Sequence, residues 1–82
     1  MMTFMRLLYI KDGFVCYEYG RNDEIMIGKI TTEIENVKNT IFDYYKNSGQ
    51  NGFCSSTGNA ITMIQKFIKE NNFPKTYTYA CW

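Results

Sequence analysis

Two β-rich runs flank a tight turn near the start of the chain. Phe4-Met-Arg-Leu-Leu-Tyr-Ile10 and Phe14-Val-Cys-Tyr-Glu-Tyr19 are separated by Lys11-Asp12-Gly13. An Asp-Gly pair suits a type I′ turn because both central positions need positive φ. With Asp12 and Gly13 as the loop, the expected register sets Ile10 opposite Val15, Leu8 opposite Tyr17 and Arg6 opposite Tyr19. The other face would then carry Leu7, Tyr9, Phe14 and Cys16. Both faces are largely apolar, whereas a sheet with one watery side alternates more cleanly. Either something covers both faces or one of them is a contact surface.

A turn at Gly20-Arg-Asn-Asp23 leads into Glu24-Ile-Met-Ile-Gly-Lys-Ile30, a third strand that completes an antiparallel meander. Gly28 inside it marks a bulge or a close approach by another element. Thr32 then carries the signals of a helix start. Thr32-x-x-Glu35 matches a capping box, and Glu33 and Glu35 would favour the helix dipole. Ile34, Val37, Ile41, Tyr44 and Tyr45 fall on one stripe at 100° per residue. Lys46 in the last turn and Asn47-Ser48-Gly49 would end the helix. The competing reading makes Glu35 to Asn39 a turn and Thr40 to Lys46 a fourth strand, since those residues are β-branched and aromatic. The helix is preferred.

Gly49 to Gly58 reads as loop. A second helix starts near Thr57 and runs to Glu70, with Ala60, Met63, Ile64, Phe67 and Ile68 as its buried stripe. Asn71-Asn72 stops it and Pro74 cannot continue it. Lys75-Thr-Tyr-Thr-Tyr-Ala-Cys-Trp82 alternates and reads as a terminal strand. The expected fold is α+β, ordered β-β-β-α-α-β. A small antiparallel sheet of three or four strands is packed by two helices in a single domain spanning residues 1–82.

Composition supports a folded chain. Of 82 residues, 45% are hydrophobic and 17% aromatic, so a domain of this size can build a ring-rich core. Disordered chains combine few aromatics with high net charge, and here the net charge is +1. Asp12 to Asp43 holds seven acids against three bases, while Tyr44 to Trp82 holds four lysines against Glu70. That asymmetry reads as ordinary solvated surface. Met1 to Ile10 is broken by Arg6, is too short for a membrane span and lacks a small-residue cleavage site. A cytoplasmic protein without membrane partners is the expectation.

Candidate chemistry is sparse. Cys16, Cys54 and Cys81 are widely spaced, no CxxC occurs and there is no histidine. A four-ligand zinc site therefore has no ligand set, and reduced thiols are the simplest account. Cys54 lies just before a helix, where a thiolate is favoured, but the chain offers no histidine as a base. No carboxylate pair sits in a setting that would separate two pKa values. Neither a catalytic residue nor a cofactor is expected. Ser55, Ser56, Thr57 and Gly58, at a helix N-terminus, form a candidate anion-binding or nucleotide-binding loop. The glycine spacing is not that of a Walker A loop, and simple capping explains the same residues.

Two further readings use the aromatics. Tyr9, Tyr17, Tyr19, Tyr77 and Tyr79 beside Arg6, Lys11, Lys29 and Lys75 would suit single-stranded nucleic acid, although no RNP-like motif is present. A protein contact is preferred. Tyr77, Tyr79 and Trp82 on the charge-free terminal strand are its candidate residues, for a homodimer or for a separate partner. The leading expectation is a non-enzymatic protein-interaction module. Its size and its Asn, Lys, Ile and Tyr usage would suit a bacterial or phage inhibitor that occludes a larger host protein or defence complex.

Overall fold

Asp12 and Gly13 take φ of 54° and 81°, the left-handed pair that a type I′ turn requires. They join β1 (Met2–Lys11) to β2 (Phe14–Gly20) in the computed structural model, which describes residues 2–20, 26–45 and 55–80. The remaining elements are β3 (Met26–Glu33), β4 (Asn36–Tyr44), α1 (Ser55–Glu70) and β5 (Thr76–Ala80). The strands form one antiparallel sheet in the order β4-β3-β2-β1-β5. The α+β class and the antiparallel sheet stand as expected. Among the described residues there are five strands and one helix, so the order is β-β-β-β-α-β.

The expected first helix is the principal correction. Thr32 does not cap a helix. It lies in β3, nearly fully buried, and its hydroxyl meets that of Thr40 at 3.2 Å across the β3–β4 ladder. Ile34 and Glu35 form the turn, and the Ile34 N–H donates to the Gly13 carbonyl at 2.9 Å. The competing reading is right that this region is a strand, but the turn is Ile34–Glu35 and the strand starts at Asn36 rather than Thr40. Its β-branched and aromatic side chains fit a pleated surface, and pairing satisfies the outer backbone groups of β3. The helix-like spacing arises from a break in register. Thr32 faces Thr40 but Glu33 faces Asn36, so Val37, Lys38 and Asn39 are extra residues and the period of two is lost. Lys46 and the proposed stop signal lie outside the described residues, as do residues 21–25, while Gly20 of the expected turn ends β2.

A second correction concerns the hairpin. Ile10 faces Val15 as expected, but the register shifts between Leu7 and Tyr9. Leu7 therefore faces Tyr17, Arg6 faces Glu18 and Met5 faces Tyr19. A bulge inserts one residue and moves everything beyond it to the other face. Leu7 leaves the Tyr9, Phe14 and Cys16 side and packs against the core.

One face of the sheet receives α1. Ala60, Met63, Ile64 and Phe67 are buried and Ile68 is half-buried, the stripe expected for this helix. They pack on Met5, Val15, Tyr17, Tyr19, Ile27 and Ile30. Polar ties lie toward the helix start: the Thr57 and Tyr19 hydroxyls meet at 2.8 Å, and Asn59 Nδ2 donates to Thr3 Oγ1 at 3.2 Å. Asn71, at φ 52°, ends the helix. Its N–H donates to the Ile68 carbonyl and that of Asn72 to the Phe67 carbonyl, a Schellman closure. No buried side-chain nitrogen or oxygen lacks a partner among the described residues.

Tyr17 fastens the connection that follows, its hydroxyl donating to the Pro74 carbonyl at 2.6 Å. Burial pushes its pKa up from 10.0 to about 12. Between those values the unfolded chain releases this proton while the folded chain keeps it, so stability falls as pH rises. Denaturation midpoints should drop progressively from pH 10 to 12, and Tyr17→Phe should flatten that slope. A slope unchanged in the variant would contradict the assignment.

Candidate interaction surface

The face opposite α1 is organised in rows by the strand register. One row runs Tyr9, Cys16, Thr31, Ile41 across β1, β2, β3 and β4. Its two ends are open, with Tyr9 45% and Ile41 58% exposed, while Cys16 in the middle is fully buried. Thr31 Oγ1 donates to Cys16 Sγ at 3.4 Å, which holds the centre of the row closed. Phe14 is half-buried, and together with Tyr9, Lys11, Asp12 and Thr31 it lines a shallow depression of about 740 Å³.

The neighbouring row is charged and alternates in sign: Arg6, Glu18, Lys29, Asp43. Arg6 pairs with Glu18 Oε1, and Lys29 Nζ lies 3.9 Å from Asp43 Oδ2. Tyr45 donates its hydroxyl to Glu18 Oε2 at 2.7 Å. Burial, then that hydrogen bond and the Glu18 charge, push the Tyr45 pKa upward. Only Glu18 of these four side chains is largely buried, so the pairs add little to stability, exposed ones contributing ~0–1 kcal/mol. Their effect is on recognition: the row offers both signs at fixed spacing and little net field. The β1 bulge creates this row, because it is the shift that brings Arg6 opposite Glu18.

The expected contact residues on β5 are placed differently. Tyr77 and Tyr79 are half-buried on the α1 side and pack against the core. The Tyr77 ring meets Phe67 edge to face, with centroids 5.2 Å apart. Thr76 and Thr78 are the exposed side chains of that strand. Trp82 lies outside the described residues. In the candidate anion loop, Ser55, Ser56, Thr57 and Gly58 open α1. The Thr57 hydroxyl is turned inward to Tyr19 rather than outward, and the Gly58 carbonyl accepts from Thr62 Oγ1 at 3.0 Å. Cys54 and Cys81 lie outside the described residues. No group of three His, Cys, Asp or Glu side chains is placed to hold a metal among the described residues. No helix there is long and apolar enough to cross a membrane.

Sequence reasoning did not single out Ile41, because it placed that residue on a helix stripe. The signal that pointed to this surface was the apolar character of both hairpin faces, of which α1 covers the centre of one and leaves Ile10 and Phe42 exposed at its margin. Comparison with known proteins gives no match: no family model, curated protein or solved structure is significantly similar to the chain.

Proposed function

We propose that this chain is a non-enzymatic protein-interaction module that lays the helix-free face of its sheet against a larger protein. The observation that carries the reading is the row whose two ends, Tyr9 and Ile41, are exposed, bordered by the Arg6–Glu18–Lys29–Asp43 ladder. Interfaces combine an apolar centre containing aromatic residues with a polar rim. Five strands spaced ~4.8 Å apart, with residues rising ~3.3 Å each, project a face of roughly 600 Å². Each partner in a stable complex contributes ~800 Å², so a partner has to cover the whole face together with its rim. The module acts by occlusion, and its biological form is a small bacterial or phage inhibitor that covers a host protein or defence complex. The chain's size and its Asn, Lys, Ile and Tyr usage support that form.

The Tyr9 and Phe14 rings beside Lys11 favour single-stranded nucleic acid as the second reading. Phosphate-tracking surfaces need unpaired positive charge, whereas Arg6 and Lys29 on this face are matched by Glu18 and Asp43. The test is affinity capture from a native lysate with the wild type and with Tyr9→Lys and Ile41→Lys. Both positions are exposed, so the variants should keep their circular dichroism and lose the captured protein. Unchanged capture would place the interface elsewhere. Binding of a single-stranded oligonucleotide that weakens steeply with salt would establish the second reading instead.

A further inference from the structure

Among the described residues, β5 is a sheet edge whose outward hydrogen-bonding groups can be identified. The Leu7 N–H donates to the Lys75 carbonyl at 2.8 Å, and the register continues through Met5–Tyr77 and Thr3–Tyr79. Antiparallel pairs alternate between those that exchange hydrogen bonds and those that do not. Lys75, Tyr77 and Tyr79 therefore direct their backbone groups toward β1. Thr76, Thr78 and Ala80 direct theirs away from the sheet.

The two edges of the sheet are unlike. On the β4 edge, Lys38 and Asp43 place charges along the strand and the register breaks over Val37–Asn39. Charges and bulges are common means of discouraging edge pairing. By contrast, β5 reads Thr-Tyr-Thr-Tyr-Ala, without charge or proline, and pairs with β1 in unbroken register.

We propose that β5 pairs antiparallel with β5 of a second copy, about a two-fold axis at Thr78, extending the sheet from five strands to ten. This dimer is separate from the partner surface proposed above. A two-fold interface must be self-complementary, and this register is the one that pairs all five residues of the strand. On the helix-free face, Thr78 meets Thr78 of the second copy. Threonine pairs are among the favourable cross-strand combinations. On the α1 face, Tyr77 meets Tyr79 of the second copy, twice by symmetry. Both rings are half-buried in the single chain, and the aromatic pairs would cover part of what remains open. No like charges are brought together. The axis is perpendicular to the sheet, so both helix-free faces lie on the same side, and a dimer offers a doubled surface to a partner.

Cysteine cross-linking tests the register directly, in a background with Cys54→Ser and Cys81→Ser. Thr78→Cys should close a symmetric disulfide under mild oxidation, because Cα atoms of a hydrogen-bonded pair lie ~5.5 Å apart and disulfides span ~4.4–6.8 Å. Thr76→Cys should not, since its own counterpart would lie four residues off, roughly 13 Å away. Separately, Thr78→Pro removes an outward N–H and leaves the bonds to β1 intact. A proline is tolerated at such an edge position. It should sediment as monomer at a concentration where the wild type is dimer, with circular dichroism unchanged. Equal cross-linking of the two cysteine variants, cross-linking of neither, or a folded Thr78→Pro chain that dimerises like wild type would each overturn the proposal.

Discussion

Phe67→Ala should lower stability by about 3–5 kcal/mol, the usual range for deleting a large buried ring. Phe67 is 3% exposed and sits where three elements meet. Its centroid is 5.4 Å from that of Tyr17 on β2 and 5.2 Å from that of Tyr77 on β5. Its carbonyl also accepts the Schellman bond from Asn72, so the backbone around the cavity is anchored and has little freedom to collapse. Small domains have only ~5–15 kcal/mol of net stability, and 1 kcal/mol moves the melting point of one this size by ~4–8 °C. A loss of roughly 20 °C is expected in thermal denaturation. A drop of under ~5 °C would mean that α1 is not the anchor of the sheet.

Gly28→Ala is the second large effect, and its cause is steric. A Cβ on Gly28 would lie 2.5 Å from the Asp43 carbonyl oxygen and 3.1 Å from the Tyr44 Cα. Both are backbone atoms, so no side-chain rotation relieves the clash. The strand β4 must move away from β3, straining the Gly28–Tyr44 and Lys29–Asp43 pairs. Overpacking of this kind costs about 1–3 kcal/mol, and the upper half of that range is expected here. Hydrogen exchange should quicken first at the β4 amides that bond to β3. Wild-type protection there, with an unchanged melting point, would contradict the close approach.

Gly28 also illustrates what the sequence made legible. A glycine within an apolar strand signals a bulge or a close approach, and both occur: the register shifts between Tyr19 and Gly20, and β4 presses on Gly28 itself. The turn at Asp12-Gly13, the buried stripe of α1 and its stop at Asn71 were legible because each depends on local chemistry. The errors came where long-range pairing overrode local pattern. Residues 32–46 satisfied a capping box and a helical stripe, yet β3 needed an outer partner and three unpaired residues in β4 disguised its alternation. The Leu8 bulge was equally hidden, since Leu7 and Leu8 are the same residue type and either could have faced Tyr17.

The candidate surface was half legible for the same reason. Two apolar hairpin faces implied that either both would be covered or one would be a contact surface. Which residues would stand on it depended on two of the register breaks, at Leu7–Tyr9 and at Thr32–Glu33. They put Arg6 beside Glu18 and bring Ile41 into line with Tyr9. Tyr77 and Tyr79, the expected contact residues of the alternating terminal strand, are half-buried on the α1 side.

The central claim, that the helix-free face is the partner surface, is tested most directly by amide chemical-shift mapping. The partner recovered by affinity capture would be titrated into isotope-labelled protein. Perturbations should centre on Tyr9, Phe14, Thr31 and Ile41 and extend to Glu18 and Lys29. Perturbations centred on the exposed side of α1, at Thr62, Gln65, Lys66 and Lys69, with the sheet face unchanged, would contradict the account.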